Sequence, residues 1–114
     1  MQTTSLNELV EEHSAKAQEV SSGRSAVTIF GGREHRLRQT LIAIREGKSL
    51  GEHASPGEAT LQVLTGKLLL RSESGHCEVS AGELAPIPEE VHAVDALEDV
   101  VFLLTVSKSQ RHKD

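Results

Sequence analysis

Apolar residues follow a helical period in the first twenty positions of the chain. Ser5 and Glu8 have the spacing of a helix start, in which the side chain of each residue satisfies a free backbone N–H of the other. Five apolar positions then share one face of a helix: Leu6, Leu9, Val10, Ala17 and Val20. The pattern predicts an amphipathic helix that ends at the SSG of residues 21–23. Its apolar face must dock on a sheet of the same chain or on a second subunit.

Beyond Gly23 the pattern changes to the two-residue alternation of strands. In residues 37–44, one side carries Leu37, Gln39, Leu41 and Ala43, and the other carries Arg38, Thr40, Ile42 and Ile44. Eight short segments are predicted as strands: 25–30, 37–44, 59–64, 67–72, 76–80, 84–88, 91–97 and 100–107. Glycine turns separate many of them, which is typical of an antiparallel sandwich or barrel and not of alternating strands and helices.

The length of 114 residues suits one domain with a small core. We predict three parts: an N-terminal helical segment over residues 1–23, a β-barrel over 24–107 and a flexible polar tail over 108–114. The only aromatic side chains of the Phe, Tyr and Trp class are two phenylalanines. The core is therefore expected to consist mainly of Leu, Val and Ile.

The net charge of -5 argues against nonspecific nucleic-acid binding, because such binding needs a basic surface. The sequence has no apolar run near the ~20 residues of a membrane span, and its N-terminus does not resemble a signal peptide. The single cysteine, Cys77, excludes an internal disulfide and is expected to be at least half-buried. These features predict a cytoplasmic protein that has neither nucleic acid nor a membrane as a partner.

Two blocks that contain glycine and histidine carry the candidate chemistry. We compare the first block with the sequence motif G-x5-H-x-H-x3/4-E-x6-G, in which x is any residue. We compare the second block with the motif G-x5-P-x-G-x2-H-x3-N. The residues that fit are Gly47, His53 and Gly66 in the first block and Gly82 and Pro88 in the second, where His92 arrives one residue early. Together the two blocks resemble the motifs of the cupin superfamily, and the resemblance covers about residues 24–107.

The resemblance implies an all-β fold, namely a cupin-type antiparallel β-barrel, also called a double-stranded β-helix or jelly roll. Here the short N-terminal helix would precede the barrel. It also implies a homodimer. The superfamily contains metal-dependent dioxygenases, isomerases and decarboxylases, and its barrels also occur as sensory domains of transcription factors. This chain has no room for a helix-turn-helix, so a regulatory role would act through a partner.

The positions of the implied metal ligands depart from the family pattern. Ser55 stands at the second histidine, and Ala59 stands at the glutamate, with Glu58 displaced by one residue. The asparagine of the second motif is absent. Of four implied ligands, only His53 and His92 are retained. This loss matters because a mononuclear iron site needs about three ligands on one face, and catalytic zinc likewise uses three protein ligands.

Two functional hypotheses follow from these residues. In the first, a non-catalytic barrel without a cofactor binds or senses a small-molecule ligand in a pocket lined by His53, Ser55, Glu58, Gln62 and His92. In the second, His53 and His92 bind a divalent metal ion (iron, manganese, nickel or zinc), and Glu58 or water completes the sphere of an enzyme. Glu58 could take part only if its strand begins with a bulge, because strict alternation turns it to the opposite face.

A basic cluster at residues 32–38 stands out in this acidic chain. It is interpreted either as a binding site for an anionic ligand or partner, or as a solvated strand edge where charge blocks edge pairing. His35, within the cluster, is expected to be solvated. The acidic stretch of residues 89–99 is a candidate complementary surface in a dimer.

Overall fold

The computed structural model describes residues 1–54 and 57–108 of the chain. The predicted tail lies outside the described residues except for Lys108. Within these ranges the chain forms one helix and nine strands: α1 (Leu6–Glu19), β1 (Arg24–Phe30), β2 (Leu37–Ile44), β3 (Ser49–His53), β4 (Gly57–Thr65), β5 (Lys67–Ser72), β6 (Gly75–Ser80), β7 (Leu84–Ile87), β8 (His92–Ala96) and β9 (Val100–Lys108). No helix in this part of the chain is long and apolar enough to cross a membrane.

The strands form two antiparallel sheets whose inner faces pack together. The five-stranded sheet has the order β1-β2-β9-β4-β7, and the four-stranded sheet has the order β3-β8-β5-β6. The largest fully buried side chains of the main core include Phe102, Ile44, Leu61 and Leu68. The prediction of an all-β fold with a short N-terminal helix is therefore confirmed, and the core is aliphatic apart from Phe102.

The helix α1 docks on the outer face of the five-stranded sheet. Ala17 packs there in a cluster with Leu41, Ala43 and Val101, and three further helix residues join it: Leu6, Leu9 and Val10. Because this sheet is covered on both faces here, the end of β2 is buried on both sides. Of the two docking partners left open by the sequence, the chain's own sheet receives the helix.

The helix begins and ends close to the predicted positions. Ser5 caps its start by accepting a hydrogen bond from the backbone N–H of Glu8 at 3.2 Å, which is the Ser5 half of the predicted reciprocal pair. Val20 lies just beyond the last helical residue and is 42% exposed. Its expected place on the docked face is therefore wrong, because the chain has already left the helix at that point.

The strand β3 is absent from the sequence prediction. Its five residues, SLGEH, contain one large apolar side chain and a glycine, so no alternation marks them as a strand. Leu50 pairs with Val94, and the register then shifts before His53 pairs with His92. Pairing with β8, which is distant in sequence, therefore makes this segment a strand.

The tight turn from β4 into β5 depends on Gly66. Its φ of 84° lies in the left-handed region, and a Cβ there would come within 2.0 Å of the carbonyl oxygen of Asp99. Only glycine meets both conditions. This turn carries the chain from the five-stranded to the four-stranded sheet.

Arg45, in the turn after β2, holds the C-terminal end of α1. Its Nη1 donates hydrogen bonds to the carbonyl oxygens of Ala17, Gln18 and Val20 at 3.2, 3.0 and 3.2 Å. These carbonyls form the negative end of the helix dipole, so a cation is favoured there. The contact fixes the helix to the sheet.

A salt bridge and a hydrogen bond to one carboxylate join three strands of the four-stranded sheet. Arg71 on β5 contacts Asp95 on β8 through Nε–Oδ2 at 2.6 Å and Nη2–Oδ1 at 3.2 Å. The hydroxyl of Ser49 on β3 donates to the same carboxylate at 2.7 Å. The hydrogen bonds from Arg71 and Ser49 hold the pKa of Asp95 below its ordinary value despite partial burial.

We expect Arg45→Ala to lower the free energy of unfolding by about 1–2 kcal/mol, because three helix carbonyls lose a charged donor. Urea denaturation monitored by circular dichroism measures this change. The matched control is Arg33→Ala, since Arg33 is exposed and forms no hydrogen bond or ion pair with any described residue. An equal effect of the two substitutions would show that Arg45 does not anchor the helix.

We expect Asp95→Asn to destabilise the protein by about 1 kcal/mol near neutral pH, a value discounted for the partial exposure of the pair. A depressed carboxylate pKa stabilises the fold above the unfolded value of about 3.9, and this stabilisation is lost as pH falls through the lower folded pKa. The difference from wild type should therefore shrink in acid. Urea titrations from neutral to acidic pH test this, with the exposed Glu98→Gln as control. A pH-independent difference would contradict the assignment.

Candidate functional site

His53 and His92 meet at one end of the two-sheet sandwich. His53 ends β3 just before β4 begins at Gly57, and His92 begins β8 after β7 ends at Ile87. We call this end of the sandwich the mouth. The strand β2 also begins there, at Leu37, and its partner β9 ends there.

The two histidines form a close pair. They are cross-strand partners, and their ring centroids lie 4.5 Å apart with a 63° angle between the ring planes. His92 shares the inner face of β8 with Val94 and Ala96 and is only 5% exposed, whereas His53 is exposed at the rim. One ring is therefore sheltered by the core and the other faces solvent.

Backbone carbonyls fix the proton position on both rings. Nδ1 of His53 lies 2.8 Å from the carbonyl oxygen of Gly51, and Nδ1 of His92 lies 3.0 Å from that of Glu90. A carbonyl oxygen only accepts, so each Nδ1 carries the proton and donates it. In the neutral imidazole, Nε2 is then an acceptor with a free lone pair. The pair thus offers two oriented acceptors.

Glu90 positions the loop that leads to His92. Hydrogen bonds from the hydroxyl and then the backbone N–H of Ser74 hold the pKa of the Glu90 carboxyl below its ordinary value. The side chain is therefore anchored to the β5–β6 turn, and the carbonyl of the same residue orients the imidazole. The family motif has glycine at this position, so the comparison with that motif did not reveal this role.

The structure places Glu58 and Gln62 away from the histidine pair. The start of β4 keeps a regular register with β9, in which Glu58 pairs with Ser107 and Ala59 with Val106. Without a bulge there, Glu58 lies on the outer face of the sheet. Gln62 shares that face and pairs with Leu103, which packs against the helix cluster. Ser55 lies outside the described residues.

These positions decide whether the residues fit a catalytic metal ion. Within residues 1–54 and 57–108, no group of three or more His, Cys, Asp or Glu side chains is placed to hold one. His53 and His92 supply two imidazole rings 4.5 Å apart, but a catalytic mononuclear site uses at least about three protein ligands. The described residues therefore do not fit a catalytic metal centre.

A cleft of about 640 Å³ opens beside His92 on the side of the four-stranded sheet. Its lining is mostly polar and acidic: Glu52, Arg71, Ser72, Glu73, Glu90, Val91 and His92. The guanidinium of Arg71 is already paired with Asp95, so its positive charge is largely compensated. This side of the mouth is therefore negative.

Arg38 lies on the five-stranded sheet, one residue after the start of β2 at the mouth. It lies on the inner face of β2, two residues before Thr40 and four before the buried Ile42, and pairs with the buried Val106. The guanidinium is exposed and forms no hydrogen bond or ion pair within the described part of the chain. Arg38 belongs to the basic cluster of residues 32–38, and the alternation along β2 puts it on the same face as Ile42.

Two other expectations concern single residues near this end. His35 is exposed as predicted and accepts a hydrogen bond from the Gly32 backbone N–H at 3.0 Å. The expectation for Cys77 is wrong, because the side chain is exposed. It lies on β6, an edge strand of the four-stranded sheet. An edge strand has a neighbouring strand on one side only, so its residues are less buried.

Comparison with known proteins supports the fold. No protein-family model matches the sequence, and no curated protein does either. Among solved structures, the chain is similar to the conserved SPY1581 protein of unknown function from Streptococcus pyogenes. The two are 25% identical over 81% of this chain and 80% of that chain, with a TM-score of 0.71.

Two further structures represent different kinds of protein. The cupin domain of an XRE family transcriptional regulator from Enterobacter cloacae is 13% identical over 77% of this chain and 98% of that chain, with a TM-score of 0.65. A salicylate 1,2-dioxygenase from Pseudaminobacter salicylatoxidans is 14% identical over 88% of this chain and 33% of that chain, with a TM-score of 0.74. Other structures described as cupins match with TM-scores of 0.61 to 0.67. The chain therefore has the fold of the cupin superfamily, in agreement with the resemblance of its two histidine blocks.

Proposed function

We propose that this protein binds a small organic molecule at the mouth and needs no metal ion to do so. The observation that carries the proposal is the pair of Nε2 acceptors on His53 and His92, each oriented by a backbone carbonyl. Oriented acceptors at the rim of an apolar core match the usual composition of ligand sites, which combine apolar walls with a few fixed polar groups.

The ligand would donate hydrogen bonds to the two Nε2 atoms. His92 is almost fully buried, so a bond to its Nε2 forms in a medium of lower dielectric than water and is stronger for that reason. His53 lies at the rim and would meet the solvent-facing part of the ligand. Glu90 supports the arrangement because its carbonyl holds His92.

A metal-dependent enzyme is the second candidate. The same two Nε2 atoms favour it, as does the similarity to a salicylate 1,2-dioxygenase. A divalent ion held by His53 and His92 would supply Lewis acidity or oxygen activation. The metal-dependent enzyme is disfavoured because His53 and His92 supply only two ligands, and Glu58 lies on the outer face of its sheet.

A sensing role is compatible with ligand binding. The similarity of the fold to the cupin domain of an XRE family transcriptional regulator supports such a role. The homodimer stays a prediction. The fold alone does not select between binding, sensing and catalysis.

We expect the purified protein to hold well below one equivalent of iron, manganese, nickel or zinc, because two histidines form an incomplete sphere. Plasma mass spectrometry of the untagged protein and of His53→Ala measures the metal content. About one equivalent in the wild type, lost in His53→Ala, would instead establish the metal-dependent candidate.

We expect a small-molecule library to contain compounds that raise the Tm of the wild type, since a ligand at 100 times its Kd adds about 2.7 kcal/mol of stability. The effect should disappear in His53→Ala/His92→Ala and persist in the control His35→Ala, which removes an exposed histidine outside the pair. Stabilisation that survives the double substitution would place binding elsewhere. A library without any stabilising compound would contradict the proposed function.

A further inference from the structure

The mouth carries opposite charges on its two sides. On the side of β2 and the end of β9 lie four cations: Arg33, Arg36, Arg38 and Lys108. On the side of β3, β5 and the loop before β8 lie three carboxylates: Glu52, Glu73 and Glu90. Glu89 instead lines a cavity on the outer face of the five-stranded sheet, together with Glu58 and Ser107. Glu34 also lies in the basic loop, next to His35, and Glu58 lies on the outer face of its sheet. Negative charge is therefore concentrated beside His92 on the four-stranded sheet, and positive charge at the start of β2 and the end of β9 on the other sheet.

Arg38 is the cation that faces this gap. Strand alternation puts it on the inner face of β2, in one row with Val106 and Ala59, both of which belong to the inner side of the sheet. None of the described residues forms an ion pair with it. An uncompensated guanidinium on an otherwise apolar inner row leaves five donors available to a bound molecule.

The topology puts the histidine pair across the gap from Arg38. The turn after β2 leads directly into β3 and is hydrogen-bonded to β8, through Gly47 N–H to Ala96 carbonyl and Ala96 N–H to Lys48 carbonyl, both at 2.9 Å. The strand β2 therefore lies opposite β3 and β8, the two strands that carry the histidines. Packed sheets are about 10 Å apart, a gap that a long arginine side chain and a small ligand can bridge together.

We propose that the ligand is a small zwitterion, with a carboxylate bound by Arg38 and an ammonium group that donates to Nε2 of His53 and His92. This inference rests on the proposed function. The planar guanidinium fork matches a carboxylate, and an imidazole Nε2 that carries no proton accepts from the ammonium group. The nearby glutamates favour a positive charge at that end of the ligand.

The two walls together disfavour simpler ligands. A plain anion would place no positive charge beside Glu52, Glu73 and Glu90, and a plain cation would leave Arg38 without a counter-ion. A hydroxy acid shares the carboxylate and a hydrogen-bond donor with a zwitterion but has no charge for the acidic wall. Comparison of these compounds therefore separates the contributions of the two sides.

The test uses the full-length wild-type protein and ω-amino acids from glycine to 6-aminohexanoate, measured by isothermal titration calorimetry and thermal shift. The member that binds best is then compared with the hydroxy acid, the simple acid and the simple amine of the same length. We expect the zwitterion to bind at least about tenfold more tightly than each of the other three, because only it satisfies both walls.

Two matched variants assign the carboxylate contact. Arg38→Gln should weaken binding of the zwitterion by about tenfold or more. The variant should then bind the zwitterion and the simple amine with equal affinity. Arg33→Gln removes the same charge from the neighbouring loop and should change the affinity by less than about twofold, since a rim charge acts only over a screened distance. Circular dichroism and Tm of both variants check that they are folded, which is expected because both side chains are exposed.

Each contrary result has a distinct meaning. Equal binding of the acid or hydroxy acid would overturn the role of the ammonium group, and equal effects of the two arginine variants would overturn the role of Arg38. Failure of every zwitterion, while other library compounds bind in a manner that depends on His53 and His92, would overturn this inference and leave the proposed function standing. Failure of all compounds would overturn both.

Discussion

The packing of the two inner sheet faces is the interaction on which the rest of this structure depends. Phe102, the largest fully buried side chain, lies on β9, the central strand of the five-stranded sheet. Alternate residues along the middle of β9 and of its neighbours β2 and β4 pack into the same core, among them Ile42, Ile44 and Val63. The outward residues of these strands are then free either to receive the helix or to face solvent. Arg45 fixes the helix in that position.

The candidate site is the place where the apolar inner rows end. On β8 the inward positions run from Ala96 and Val94 to His92, and on β2 they run from Ile42 to Arg38. Polar residues at the ends of core rows are held by a rigid scaffold while still open to a ligand. The similar structures share this scaffold, but at the identities found they establish the fold alone. Any chemistry of this protein must therefore be argued from its own residues at the mouth.

Sequence pattern was most informative where alternation was strong. The bounds of β2 and β5 agree with the predicted segments 37–44 and 67–72, because their apolar and polar positions alternate or run continuously between clear turns. The sequence pattern did not predict β3, because its glycine and exposed side chains show no alternation of apolar and polar positions. Alternation also put Glu58 on the face opposite to Ala59 unless a bulge intervened, and the regular register of β4 with β9 shows that no bulge is present at Glu58.

By itself the sequence determined the periods of the helix and strands, the aliphatic character of the core and the two blocks that carry His53 and His92. These are local properties, set by side-chain direction along each element and by turn residues such as Gly66. Sheet packing and strand pairing, by contrast, bring the two imidazole rings to 4.5 Å and place a backbone carbonyl beside each Nδ1. Such relations join strands that are distant in sequence, so they follow from how the sheets pack and not from any local pattern.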